Sequence, residues 1–113
     1  MNEYFDYLIS KEKYFKNYLK YAKNLKEIAR KILKDKKLKV IIFGSVIERD
    51  YTLSSDIDIM IISSKIPRKG IKRAKILGKI YNSIGIASPF EIHLVNKKDW
   101  KIYKKFIKKF KEV

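Results

Sequence analysis

The chain has 113 residues, of which 28 are lysine or arginine and 12 are aspartate or glutamate, so its formal net charge is +16. This length suits one domain, residues 1–113, with a single core, and it excludes a separate substrate-reading domain. The chain has no cysteine, no signal-like start and no apolar run near the ~20 residues that cross a bilayer, which excludes a disulfide scaffold and a membrane span. We therefore expect a cytoplasmic protein, and its lysine-rich, isoleucine-rich composition would suit a thermophile.

The positive charge also bears on partners, because clustered lysines gain affinity for nucleic acid by releasing counterions from its phosphates. Most of these charges are lysines dispersed over the flanking helical segments, where a solvated helix face accounts for them. Direct nucleic-acid binding is therefore an open alternative that we do not favour. An acidic partner protein would respond to the same electrostatic field.

The segment from Asn2 to Lys37 contains no proline or glycine and is predicted to form a long amphipathic helix, with a break at Ser10 to Lys13. Its tyrosines exceed what one apolar stripe can bury. They are Tyr4, Tyr7, Tyr14, Tyr18 and Tyr21. Some are expected to form a contact surface for a second chain, which could be another copy of this one.

A short β-branched run, Leu38 to Phe43, ends at Gly44 and predicts a buried strand that stops at a tight turn. Ser45 then begins a short helical segment. Backbone N–H groups at a helix start, together with a serine hydroxyl, can bind a phosphate, and glycine allows a ligand close to the main chain. This turn is therefore predicted to hold a triphosphate.

The isoleucine-rich run from Asp56 to Ser63 is predicted to be a second strand. Side chains alternate along a strand, so Asp56, Asp58 and Met60 share one face, with the carboxylates ~7 Å apart. Such carboxylates repel one another unless a cation lies between them, and hard oxygen ligands suit Mg²⁺ or Mn²⁺. Two ions roughly 3.5–4 Å apart would clamp the attacking and leaving oxygens of a displacement at phosphorus.

The remainder of the chain predicts a helix over 68–84 that ends at Gly85, a strand from Pro89 to Val95, and a helix over 97–111 capped by Asn96. The last helix carries an expected packing stripe of Trp100, Ile102, Tyr103, Phe106, Ile107 and Phe110. The order of elements predicts an α/β or α+β fold, with a short mixed sheet of about three strands flanked by helices.

The strand from Pro89 to Val95 supplies a third acid. Its apolar residues alternate toward the core, which turns Glu91 and His93 to the opposite face. Glu91 could complete the metal site or accept the proton of an attacking hydroxyl, although a solvent-facing residue on an edge strand is the alternative. His93 could touch a nucleotide or metal, but a surface or packed histidine is more common, so it is not assigned to the site.

Gly44-Ser45, ten intervening residues and Asp56-Ile57-Asp58 resemble the signature of the DNA polymerase beta-like nucleotidyltransferase superfamily, and the short chain resembles its minimal, antitoxin-type branch. The resemblance covers roughly residues 38–95. It implies the nucleotidyltransferase fold and the transfer of a nucleoside monophosphate, such as AMP, from a nucleoside triphosphate to a hydroxyl, with release of pyrophosphate.

The resemblance also implies roles for individual residues. Gly44 and Ser45 would hold the triphosphate, and Asp56, Asp58 and Glu91 would hold two Mg²⁺ or Mn²⁺ ions. Many relatives carry a basic residue and then glycine just after Gly-Ser, whereas this chain has Glu48-Arg49. Arg49 could serve the phosphates from a shifted position, while Glu48 would repel them.

The resemblance has one further implication, which concerns a partner. Minimal members of this superfamily are often paired with a helical HEPN-type protein in toxin–antitoxin systems, so such a toxin is a candidate acceptor. The alternative is a binding module that keeps the fold but acts on its partner by contact, and Glu48 favours it slightly.

Overall fold

The computed structural model describes residues 3–52, 54–85 and 88–113. Its elements are α1 (Glu3–Lys16), α2 (Tyr18–Leu33), β1 (Lys39–Phe43), α3 (Ser45–Glu48), β2 (Ile57–Ile62), α4 (Ile71–Ile84), β3 (Phe90–Val95), α5 (Lys97–Tyr103) and β4 (Phe110–Glu112). No helix in these ranges is both long enough and apolar enough to cross a membrane.

The four strands form one mixed sheet in the order β3-β2-β1-β4. β1 is antiparallel to both β2 and β4, whereas β2 and β3 are parallel. The register places Asp58 opposite Phe43 on one side and beside Glu91 on the other. The α/β architecture with a mixed sheet is therefore confirmed, with one strand more than we predicted.

One face of the sheet carries the main core. Alternate residues of β1, β2 and β3 are buried there against helices α1, α2 and α4. The strand residues are Val40, Ile42, Ile57, Ile59, Ile61, Phe90, Ile92 and Leu94. Because neighbouring residues in a strand point to opposite faces, this packing commits Asp58 and Glu91 to the other face, which we call the open face.

The open face is covered only in part. Trp100 of α5 and the nearby Ile107 pack on a small buried cluster of Ile41, Met60, Ile62 and Val95. The register puts these residues toward the C-terminal end of β2. The N-terminal end of β2, where Asp58 lies, is left accessible beside the Gly44 turn.

The N-terminal helical segment breaks at a different place from the one predicted. α1 runs through Ser10 to Lys13 without interruption, and the break falls at Asn17. The Asn17 side-chain amide donates to the Lys13 carbonyl at 3.0 Å, so it competes for a helical acceptor. The predicted start at Asn2 lies outside the described residues, and α2 ends at Leu33, before the predicted Lys37.

The predicted C-terminal helix over 97–111 is wrong beyond its first two turns. α5 ends at Tyr103, and residues 110–112 form β4 against the edge of β1. The predicted packing stripe is confirmed only for Trp100 and Ile107, which pack on the open face. It is wrong for its other members, Ile102, Tyr103, Phe106 and Phe110, which are exposed. Residues 110–112 form their backbone hydrogen bonds with β1 instead of within a helix. This competition between strand and helix depends on a distant segment, so the local periodicity of the sequence does not reveal it.

The other predicted elements are confirmed with small shifts. The helix predicted from residue 68 begins at Ile71 and ends before Gly85, and the strand predicted from Pro89 begins at Phe90. The Asn96 cap is also present, because its side chain accepts a hydrogen bond from the Lys98 amide at 3.0 Å.

Candidate active site

The turn after β1 is built closely against Asp58. Gly44 has φ 79° and ψ −154°, a combination that is essentially restricted to glycine. A Cβ at this position would collide with the Asp58 carboxylate. The glycine is therefore required both by its backbone conformation and by the approach of this side chain.

Three side chains of β2 and β3 meet on the open face. Nε2 of His93 lies 3.3 Å from Oδ1 of Asp58 and 3.9 Å from Oε1 of Glu91. One ligand atom from each of the three residues lies within 4.8 Å of the others. We call Asp58, Glu91 and His93 the acidic cluster. The structure thus brings together Asp58 and Glu91, which the sequence predicted, and adds His93, which it had not assigned.

Packing holds His93 in place. Its ring centroid lies 5.3 Å from that of Phe43, the residue paired with Asp58 in the antiparallel register. The side chain is 36% exposed, so it is neither free on the surface nor fully buried. Its position on the same face as Glu91 was the sequence signal that could have placed it in the site.

The outer edge of β3 is also fixed. The Tyr81 hydroxyl of α4 accepts a hydrogen bond from the Ile92 amide at 2.9 Å, and the Arg73 guanidinium donates to the Leu94 carbonyl. These contacts occupy backbone groups that an edge strand otherwise presents to solvent. They anchor the strand that carries Glu91 and His93.

Asp56 stands apart from the acidic cluster. The predicted strand began at Asp56, but β2 begins at Ile57, so strand alternation does not govern the Asp56 side chain. Asp56 is 55% exposed, and its Oδ1 lies 3.9 Å from Nζ of the buried Lys11. Its predicted role as a metal ligand stays a prediction.

The residues after Gly44 form a tight turn of helix. The amides of Ile47 and Glu48 both donate to the Gly44 carbonyl at 3.1 Å. Arg49 ends α3 with a positive φ of 63°, and its side chain is exposed. In the described part of the chain, the Arg49 guanidinium makes no hydrogen bond or ion pair, so nothing fixes it toward the site.

The donor set of the acidic cluster fits a divalent cation. Two carboxylates supply the hard oxygen ligands that Mg²⁺ and Mn²⁺ prefer, and a histidine nitrogen widens the range toward transition metals. Asp58 accepts only one hydrogen bond among the described residues, from His93, so its other lone pairs are available to a cation.

Two solved structures resemble this chain. A crystal structure of a candidate nucleotidyltransferase is 37% identical in sequence with a TM-score of 0.66, and the match covers 82% of this chain and 97% of that chain. A second, from Sulfolobus solfataricus, is 21% identical with a TM-score of 0.54, covers 83% of this chain and 79% of that chain, and supports the fold alone. No curated protein matches.

A family profile gives the wider relationship. Residues 1–111 match the family described as poly(A) RNA polymerase, mitochondrial-like, central palm domain. No toxin partner is named in these comparisons, so the HEPN-type partner, the antitoxin branch and the thermophilic origin stay predictions. With nearly the whole length matched, the chain belongs to this family of palm domains, within the DNA polymerase beta-like nucleotidyltransferases.

Proposed function

We propose that this chain is a metal-dependent nucleotidyltransferase that transfers a nucleoside monophosphate from a nucleoside triphosphate to a hydroxyl acceptor. The observation that carries the proposal is the acidic cluster beside the Gly44 turn, on the uncovered end of the open face. Membership of the palm-domain family supports the same reaction class.

The acidic cluster would hold the divalent cation. Asp58, Glu91 and His93 supply two carboxylates and an imidazole. Asp56, which precedes β2 and pairs with Lys11 in the free protein, would hold a second ion. Bound Mg²⁺ or Mn²⁺ neutralises phosphate charge and lowers the pKa of a coordinated hydroxyl. Without such cations these side chains would repel a triphosphate.

The Gly44 turn would seat the phosphates. The missing side chain of Gly44 lets the Asp58 carboxylate lie directly against the turn, which would bring a cation held by Asp58 close to the phosphates. The Ser45 hydroxyl can donate a hydrogen bond to a phosphate oxygen. The resemblance to the superfamily signature supports these roles. Arg49 would contribute from the far end of α3 by reorienting its exposed side chain.

Glu91 would orient and deprotonate the acceptor. It is the most exposed member of the acidic cluster and lies on the edge strand, where an acceptor can approach without crossing the sheet. The acceptor oxygen bonds to the α-phosphorus, the bond from that phosphorus to the bridging oxygen breaks, and pyrophosphate leaves. The proton passes to the Glu91 carboxylate.

ATP is the proposed donor. The family is named for a poly(A) RNA polymerase, and the superfamily resemblance also implies AMP transfer. The acceptor is proposed only as a hydroxyl, on RNA or on a protein.

Transfer of radiolabel tests this function. The purified chain is incubated with each α-labelled nucleoside triphosphate and Mg²⁺ or Mn²⁺, with an RNA pool or with extract from its source cells. We expect label on RNA or protein, and no transfer by Asp58→Asn. Glu112→Gln is the matched control, because Glu112 is an exposed acid of β4 paired with Ile41, outside the acidic cluster.

Two outcomes would contradict the proposal. One is that no label moves from any of the four nucleotides, which would favour a binding module. The other is that Asp58→Asn transfers label as well as the wild type, which would place the activity in a contaminant or another site.

A further inference from the structure

Lys11 of α1 is buried, although its charge would normally keep it in water. Its side chain is 4% exposed, and the only ion pair it makes in the described part of the chain is with Asp56, at 3.9 Å. Lysine is rarely buried without a close partner, because removing an ammonium from water is costly. A distant pair with a half-exposed carboxylate offsets little of that cost.

Aromatic residues lie on the same face of α1 as Lys11. Tyr7, Lys11 and Phe15 recur at a spacing of four and therefore lie along one face of α1. The Tyr7 ring centroid is 5.8 Å from the Lys11 ammonium, and the Phe15 ring stacks on Tyr51 with centroids 4.6 Å apart. Tyr51 belongs to the segment between α3 and β2, so this stacking ties α1 to the segment that leads to Asp56.

The phosphate-binding turn itself lacks an anchored cation. Glu48 is negative, and Arg49 is exposed with no partner that fixes it among the described residues. A bound triphosphate carries several negative charges beside the acidic cluster. A positive group near Asp56, supplied from another element, would complement that charge.

We propose that Lys11 is a phosphate-binding residue of the nucleotide site. Its ammonium pairs with Asp56 in the free protein and binds an oxygen of the β- or γ-phosphate in the nucleotide complex, which releases Asp56 to hold a cation. This inference rests on the proposed function. It explains why the ammonium of the buried Lys11 lies near the Asp56 carboxylate but beyond hydrogen-bond distance.

The exchange predicts that loss of the Lys11 charge weakens the binding of ATP but not the binding of Mn²⁺. Lys11→Met keeps the length and apolar stem of the side chain but removes the charge. We expect it to weaken ATP binding about 10- to 100-fold, the range for loss of one charged hydrogen bond. Mn²⁺ binding without nucleotide should become tighter or stay unchanged, because the competing cation beside Asp56 is gone.

Equilibrium dialysis with labelled ATP and AMP, together with Mn²⁺ titration followed by electron paramagnetic resonance, measures both effects. AMP lacks the β- and γ-phosphates, so its affinity should change less than about twofold. Lys13→Met is the matched control, since Lys13 is an exposed lysine of the same helix. If thermal unfolding shows that Lys11→Met does not fold, Lys11→Gln replaces it.

The outcomes separate this inference from the proposed function. Equal ATP affinity of the wild type and Lys11→Met would overturn the role of Lys11 while leaving the function standing. Equal losses for ATP and AMP, or weaker Mn²⁺ binding by the variant, would show that Lys11 only supports the structure. A wild-type chain that binds no nucleoside triphosphate would overturn both.

Discussion

The two ends of β2 use carboxylates in opposite ways. At the C-terminal end, Asp35 accepts hydrogen bonds from the Ser63 hydroxyl at 2.6 Å and from the Lys37 amide at 2.9 Å. Ser63 is itself buried and accepts from the Lys65 amide. At the N-terminal end, Asp58 has one hydrogen bond to the residues that the structure describes, with His93 at 3.3 Å.

The difference is one between a carboxylate that serves structure at one end and a carboxylate to which we assign a chemical role at the other. The hydrogen bond from Ser63 is the main reason that the pKa of Asp35 lies below its ordinary value, and the Lys37 amide and nearby lysines add to the effect. Those bonds stabilise the ionised carboxylate in the fold. Asp58 keeps free lone pairs on the open face, which a bound cation can use.

Asp58→Asn should have the largest effect, because it removes a charge from the acidic cluster without changing side-chain shape. We expect nucleotide transfer to fall on the order of 10³-fold, as for loss of a strong electrostatic contact to the reacting phosphate. Label transfer gives the rate and circular dichroism gives the folded state. Asp35→Asn, which alters the C-terminal end of β2, should retain nucleotide transfer. A loss of less than tenfold in Asp58→Asn would contradict the site.

Gly44→Ala should have the next largest effect, because the added methyl group collides with the Asp58 carboxylate. A displacement of about 1 Å at the reacting groups would lower transfer on the order of 10²-fold. Gly70→Ala is the matched control. Gly70 has a similar backbone, φ 97° and ψ −176°, but open space where a Cβ would lie.

The two glycine variants should therefore share the backbone cost but differ in activity. Both should lose about 1–3 kcal/mol of unfolding free energy from the strained conformation, measured by urea denaturation. Only Gly44→Ala should lose transfer. Equal activities in the two variants would show that the contact with Asp58 is irrelevant to the reaction.

His93→Gln, which alters the same acidic cluster as Asp58→Asn, should have a smaller effect than the two preceding substitutions. It removes the imidazole from the acidic cluster, so we expect Mn²⁺ affinity to fall about 10- to 100-fold, the range for groups that support a metal site. Mn²⁺ titration followed by electron paramagnetic resonance measures it, with Glu112→Gln as the control. An unchanged affinity would limit the metal site to the carboxylates.

Asp35→Asn should change stability alone, by about 1 kcal/mol at neutral pH. Because the folded-state pKa of Asp35 is lowered, its stabilisation is present above its ordinary value of 3.8 and is lost as pH falls through the folded-state pKa. The difference in unfolding free energy between wild type and variant should therefore shrink below about pH 4. Urea denaturation at several pH values checks this, and a difference that does not vary with pH would contradict it.

The sequence predicted the parts of the site that depend on local patterns. Alternation along β3 correctly turned Glu91 away from the core, and the glycine after β1 marked the turn beside Asp58. Asn96 marked the start of α5 by the same kind of local rule. These predictions succeed because strand period and capping depend on neighbouring residues only.

The wrong predictions concern competition between distant segments. Residues 104–111 have an amphipathic pattern that suits a helix, yet residues 110–112 pair with β1. Asp56 continues the alternation of β2 in the sequence, yet it lies before the strand and beside Lys11 of α1. Both contacts are made by segments distant in the sequence, so local periodicity carries no information about them.

By itself, therefore, the sequence determined that β1, β2 and β3 form, which face Asp58 and Glu91 take, and that Gly44 and Asp58 belong to one motif. The tertiary structure decided that His93 joins Asp58 and Glu91, and that a lysine from α1 reaches Asp56. Asp58 and His93 are 35 residues apart, so their separation in space depends on the parallel register of β2 and β3. A shift of that register by one residue would turn His93 and Glu91 to the other face, and packing of the core residues on the helices opposes it.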